Sequence, residues 1–231
     1  LRHCRNNKSI RELQQIRTMN KTQAILYAFL AAIFYAVNVP VSKILLQKVE
    51  PTMMAAFLYL GAGVGIGIMS LINKKDMVRS EKLKTKDLPF VTGMIVLDIA
   101  APIFLMYGIR YGSSANASLL GNFEIVATTI IALFIFKETV TKRLWAAIAL
   151  ITLSSIMLSF EGVGSFKFSY GSVFILAATV CWGFENNCTR KISSKSTYEI
   201  VILKGIFSGL GTLAIALIKG EALQGLGYIA A

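Results

Sequence analysis

The chain has 231 residues, 55% of them apolar and only 16% charged, and its 24 basic against 12 acidic residues give a net charge of +12. A soluble domain is about 45–50% apolar and about 25% charged. With a mean hydropathy of +0.63, this composition argues against a soluble globular enzyme, a disordered tail and a secreted disulfide scaffold; the basic excess alone would suit nucleic acid, so the placement of the charges decides.

Residues 1–18 are polar and basic and precede Met19-Asn20-Lys21-Thr22, which reads as a start, so they are taken as a basic N-terminal arm or as upstream translation. Seven apolar stretches follow. Residues 22–42, 51–73, 144–160 and 168–184 carry no charge, while 88–109, 111–136 and 200–218 are interrupted once each, by Asp98, Glu124 and Lys204. About 20 mostly apolar residues cross the hydrocarbon core as a helix, and a backbone this apolar must satisfy its hydrogen bonds internally. The alternation of a membrane barrel is absent. The pattern predicts an all-α membrane protein, a multi-span transmembrane helix bundle with seven spans. The first stretch is too long for a signal-peptide core, and further spans follow it.

Lysines and arginines concentrate on one side of the alternating topology: 18 of the 24 fall before the first span, Lys21 included, and in the loops after the second, fourth and sixth spans. Basic loops stay cytoplasmic, so the N-terminus is expected inside a multi-pass protein of the plasma membrane, of prokaryotic type. Cys181 and Cys188 lie seven positions apart on one helix, roughly 10 Å along its axis and too far to bridge. The single histidine is His3 and no metal-ligand spacing occurs, so neither metal nor cofactor is expected.

Within the spans, Asn38 and Pro40 bring a polar group and a freed carbonyl, which suits a broken helix lining a cavity or a simple kink. Gly61, Gly63, Gly65 and Gly67 make two overlapping GxxxG spacings, and Gly205 and Gly209 make another. Small residues let helices approach closely where lipid gives no hydrophobic drive. The same Gly-Val-Gly-Ile-Gly run lacks the Lys-Ser/Thr of a phosphate loop, so nucleotide binding is not expected.

Residues 34–43 and 181–190 share a chemical pattern of aromatic, small, apolar and polar positions ending in hydroxyl and base, and each follows a pair of alanines. Chance likeness between apolar helices is the competing account. If the repeat is real, five spans separate its copies, so the second enters from the opposite side. Inverted repeats of this kind mark secondary transporters. The reading is a first five-helix repeat over 19–164 and a partial second repeat over 165–231, about seven spans present of an expected ten.

Tyr107-Gly108-Ile109-Arg110-Tyr111-Gly112-Ser113-Ser114-Ala115-Asn116-Ala117-Ser118-Leu119-Leu120, followed by Phe136-Lys137-Glu138-Thr139-Val140-Thr141-Lys142-Arg143 and by the Cys181–Arg190 segment, resembles the EamA family of the drug/metabolite transporter superfamily. The resemblance implies two five-helix repeats, the first run joining the third and fourth spans and the second forming the cytoplasmic turn before the fifth. One departure is visible: Ile125 follows Glu124 where the family often has proline, which puts a hinge there in doubt.

Ionisable groups inside spans are costly and face a cavity or a partner. Glu185 and Lys204 lie at similar depth, each roughly 7–8 Å inside the same boundary. They read either as a structural ion pair or as a substrate or proton site with Lys204 favouring the carboxylate. Asp98 and Glu124 show no cation at matching depth, and read as proton-exchanging groups or as carboxyls hydrogen-bonded within the bundle. Asn186 and Asn187 suit either a pathway lining or helix–helix hydrogen bonding. The expected function is a secondary transporter of small organic solutes or metabolites by alternating access, ion-coupled or exchange-driven, with Asn38, Asp98, Glu124, Glu185, Asn186 and Lys204 along the pathway. Its expected partners are a small-molecule solute and the lipid bilayer, with a homodimer as an option and no nucleic acid. The alternatives are a membrane-embedded enzyme on a lipid-soluble substrate, for which the spans offer only scattered carboxylates, and a noncatalytic membrane scaffold subunit.

Overall fold

A computed structural model of the chain describes residues 21–72, 83–139, 141–159 and 170–221. The N-terminal arm and the basic loop at 73–82 lie outside the described residues. All regular elements among the described residues are helical. The chain divides into two units, Leu1–Val41 and Ser42–Ala231.

The first unit holds most of α1 (Lys21–Leu45). Its large apolar side chains, among them Phe29, Phe34 and Tyr35, are exposed, a surface suited to hydrocarbon rather than water. The break considered at Asn38–Pro40 is not seen: α1 continues through Pro40 to Leu45. Proline removes one amide donor, and the apolar residues on both sides keep the helix as the only arrangement that satisfies the rest of the backbone.

The second unit is built from α2 (Pro51–Ile72), a 3₁₀ turn (Thr85–Asp87), α3 (Leu88–Tyr111), α4 (Ser114–Gly121), α5 (Phe123–Phe134), α6 (Lys142–Ser159), α7 (Tyr170–Lys191), α8 (Thr197–Leu203), a π-helical turn (Lys204–Ser208) and α9 (Gly209–Ile218). Pro51 opens α2, where its fixed φ and missing N–H cost nothing. Ser113 caps α4 by accepting from the Asn116 amide at 3.1 Å, and Ser196 caps α8 as the first residue of a Ser-x-x-Glu start.

Among the described residues, five helical segments are long and apolar enough to cross a membrane: 25–45, 51–72, 85–111, 114–134 and 197–218. The other two of the seven sequence stretches form α6 and α7. Lys142 and Arg143 occupy the first turn of α6, while Glu185, Asn186, Asn187, Arg190 and Lys191 crowd the end of α7. The stretch at 111–136 is divided at Asn122, where α4 gives way to α5; Gly and Asn in succession weaken a helix locally.

α7 runs along α3, also packs against α5, and α2 packs against the π turn and α9. Glycine sets the closest approaches: a Cβ on Gly171 would lie 2.6 Å from the Gly112 nitrogen, so α3 and α7 touch through backbone there. Nearby, the rings of Phe104, Tyr107, Tyr111 and Phe174 interlock at 5.7–6.3 Å between centroids. Met94, Ala101, Met106, Ile109, Ile175 and Ala178 are fully buried between these helices.

Polar contacts close both ends of the second unit. At one end Lys219 donates to Thr52 Oγ1 at 2.8 Å and to Glu221 Oε1 at 2.6 Å, and also reaches the Tyr107 hydroxyl. Arg110 pairs with Glu50, and Lys43 donates to the Ile109 and Gly112 carbonyls at 2.6 and 2.7 Å, a cation on the negative end of α3. At the other end Lys195 pairs with Asp87 at 3.4 Å, and Glu138 takes Arg190 at 2.5 Å and Lys191 at 3.3 Å. The up-and-down order read from the apolar stretches is therefore visible in which residues meet.

Candidate functional site

Between the two ends, three helical segments bring charges together. Lys204, the first residue of the π turn, places its ammonium 2.8 Å from Glu185 Oε1 on α7 and 3.3 Å from Asp98 Oδ2 on α3. Both carboxyl residues are buried, Asp98 at 0% exposure and Glu185 at 2%. From α2 the Tyr59 hydroxyl donates to Asp98 Oδ1 at 3.0 Å, and the Trp182 indole donates to the Tyr59 oxygen at 3.4 Å. The Thr189 hydroxyl, one turn beyond Glu185, donates to Glu185 Oε1. Asp98 Oδ2 is buried and makes no hydrogen bond, only the ion contact.

Consecutive residues on a helix point about 100° apart, so α7 presents Glu185 to this cluster and its neighbours to α5. Asn186 donates to Glu124 Oε1 at 2.8 Å and to Thr128 Oγ1 at 3.2 Å. Asn187 donates to the Thr128 carbonyl at 2.9 Å and to the Gly183 carbonyl at 2.8 Å. The contact depends on Gly183, where a Cβ would sit 2.9 Å from both the Ala127 Cβ and the Thr128 nitrogen. Two polar groups thus lie back to back on α7, one charged and one built mainly from amides.

The structure brings Asp98, Glu185 and Lys204 together and joins Glu124 to Asn186. The Glu185–Lys204 pair follows from their similar depth. Asp98 departs from its expectation, for it has a cation after all. Counted along the helices, Asp98 lies about 15 Å beyond Leu88 and Lys204 about 10 Å beyond Thr197, and the long lysine side chain covers the difference. Glu124 receives a neutral amide. Asn38 lies on α1, in the first unit, whereas all members of the two clusters lie in the second. Sequence reasoning does not single out Tyr59, Thr128 or Thr189. The i, i+4 spacing of Glu185 and Thr189 carried a signal for the last, and Tyr59 lies one turn before Gly63 on the same helix face.

The Lys219–Glu221 contact lies just outside the last span and has a definite pH dependence. Partial burial pushes the Glu221 carboxyl up, but hydrogen bonds from Lys219, Thr52 and the Met53 amide outweigh it and hold the carboxyl below its ordinary value. A depressed carboxyl contributes stability that is complete above its unfolded value, about 4.3, and lost as pH falls through the folded value. The Met53 amide donates to Glu221 Oε2 at 2.9 Å, so its hydrogen exchange reports the latch. Its protection is expected to hold at neutral pH and to fall once acidification passes below the carboxyl's folded value, and Glu221→Gln should remove that acid step. Equal protection above and below that value in the parent chain would contradict the assignment.

Apolar helices of membrane-spanning length surrounding a buried set of charges define a multi-pass membrane protein with an internal polar site. Residues 22–160 match the EamA-like transporter family, and the chain belongs to that family. It is 23% identical over 202 residues to an "Uncharacterized transporter" of Methanothermobacter thermautotrophicus, covering 81% of this chain and 58% of that protein. It is also 23% identical over 181 residues to "Uncharacterized transporter YyaM" of Bacillus subtilis, covering 74% of this chain and 59% of the relative. The chain thus spans just under three fifths of the length of these curated relatives.

Proposed function

We propose that the chain belongs to a secondary transporter that moves a small organic solute by alternating access between inverted repeats, driven by an ion gradient or by solute exchange. The observation that carries this reading is the Asp98–Lys204–Glu185 cluster, assembled from three helical segments inside the spans. Charges at that depth are expensive in lipid, and proteins keep them for pathways and switches. The amide-rich group around Asn186, Glu124 and Thr128 supplies hydrogen-bonding surface for a solute on the neighbouring face of α7. On this reading the basic loops face the cytoplasm, and the protein resides in the plasma membrane of a prokaryote, alone or as a homodimer.

The test is uptake into liposomes carrying the full chain, with a panel of labelled amino acids, amines and organic acids under an imposed pH or sodium gradient. At least one compound is expected to enter saturably and faster than into empty liposomes. Uptake that stays linear and equal to empty liposomes for every compound would leave the polar groups as helix glue.

A further inference from the structure

The charge count of the buried cluster is uneven. Asp98 and Glu185 share one ammonium, that of Lys204, and contacts of 3.3 and 2.8 Å to that single nitrogen place the paired carboxylate oxygens within about 6 Å of each other. With both carboxyls ionised the cluster would hold an uncompensated negative charge away from water, which proteins avoid by taking up a proton. Among the described residues, Lys204 is the one cation paired with it. The titratable groups around it are Tyr59 from α2, Asp98 from α3, Glu185 and Cys188 from α7, and Lys204 from the π turn, while α9 carries none.

The shape of the cluster selects the ligand. Asp98 and Glu185 are almost fully buried, so an organic molecule has no access to them in this arrangement, whereas a proton needs no volume. Lys204 already stands between the two carboxyls, where a metal cation would have to sit. Asp98 Oδ2 is buried with the 3.3 Å ion contact to Lys204 and no hydrogen bond, so it is the less well compensated of the two carboxylates.

We propose that Asp98, Lys204 and Glu185 form a single-proton site, neutral when one carboxyl is protonated and carrying one negative charge when it is not. The proton is taken from hydronium on one side, leaving a water molecule, and passes to water as hydronium on the other side when the cluster opens, with no other bond made or broken. The moving part is the π turn. It carries Lys204, packs on α2 through Gly205 against Gly63, and ties to α3 through the Ser208 hydroxyl on the Ile95 carbonyl at 3.2 Å. Single π-helical turns of this kind inside α-helices occur frequently at functional sites. The proposal rests on the transporter reading and deepens it by naming the coupling ion and its seat.

Charge counting gives the test its expected results. Infrared spectra of the full chain in lipid membranes report protonated carboxyl groups through their C=O band, which shifts in heavy water. Relative to the parent chain, Glu185→Gln and Asp98→Asn should each remove one protonated carboxyl, because the remaining acid forms a balanced pair with Lys204. Lys204→Met should do the opposite and add one, because both acids then stand without a cation. Each variant is read only if it elutes as an intact, monodisperse species, and Glu185→Gln or Lys204→Met alone suffices for a decision. A band unchanged in either variant overturns the proposal. So does loss of the band on adding sodium or lithium at fixed pH, which would make the site a metal-cation site. The band needs no transport: its failure sinks the proton site alone, while flat uptake with the band present sinks the transporter reading.

Discussion

Gly205→Ala is expected to lower the thermal midpoint of the detergent-solubilised protein by roughly 6–12 °C, corresponding to about 3 kcal/mol in a chain of this size. A Cβ at position 205 would lie 2.3 Å from the Gly63 Cα, 2.4 Å from the Gly63 nitrogen and 2.8 Å from the Tyr59 carbonyl oxygen. All three are backbone atoms, so no side chain can swing away and α2 must back off from the π turn by an ångström or more. Alanine gains about 1 kcal/mol over glycine in a helix, and overpacking against backbone outweighs that gain. The damage reaches the polar cluster as well, since Lys204 precedes Gly205 and Tyr59 lies on the displaced helix. Alanine at Gly61, Gly65 or Gly67 meets nothing within 4 Å and should leave the midpoint level or slightly raised. Melting followed by size exclusion ranks the four variants, and a Gly205→Ala midpoint equal to the parent's would mean that α2 and the π turn do not pack this closely.

That contrast marks what a sequence can convey about such a fold. The spacing of Gly61, Gly63, Gly65 and Gly67 shows that α2 has smooth faces, yet both overlapping motifs read alike. Only packing reveals that Gly63 meets a neighbour. The apolar stretches were legible because hydrocarbon imposes one length and one backbone solution. The division at Asn122 was not, because a single turn hardly alters the mean hydropathy of a span. At the site, depth along separate helices identified Glu185 and Lys204 as neighbours, since both lie near the same end. It missed Asp98 because depth counts Cα positions, and lysine reaches several ångströms beyond its own. Tyr59 was beyond reach for a simpler reason: tyrosine is common in membrane helices, and its role comes from the helix rotation that aims it at Asp98.

On the proposed transport reading, Glu185→Gln is expected to slow solute uptake by about tenfold or more, equivalent to at least ~1.4 kcal/mol in the rate-limiting step, while leaving the protein folded and expressed. The fold survives because Lys204 has two partners. With Glu185 neutral, Asp98 remains 3.3 Å from the ammonium, so no charge is orphaned in the bilayer, and the glutamine oxygen still accepts from Thr189. The loss is then that of a charge-assisted hydrogen bond, about 1.5–3 kcal/mol. Lys204→Met differs, for it strips the cation from two carboxyls at once and belongs with the 3–5 kcal/mol cost of breaking a buried pair. Function does not share this tolerance. A switch needs two states of comparable energy, and a permanently balanced Asp98–Lys204 pair favours the closed cluster at every pH. Initial uptake rates at matched protein density in liposomes provide the comparison, with Glu185→Asp retaining the charge on a shorter arm. Slow uptake in Gln with partial recovery in Asp assigns the effect to the carboxylate. Unchanged uptake in Gln removes Glu185 from the mechanism and leaves its contact with Lys204 as a structural tie between α7 and the π turn.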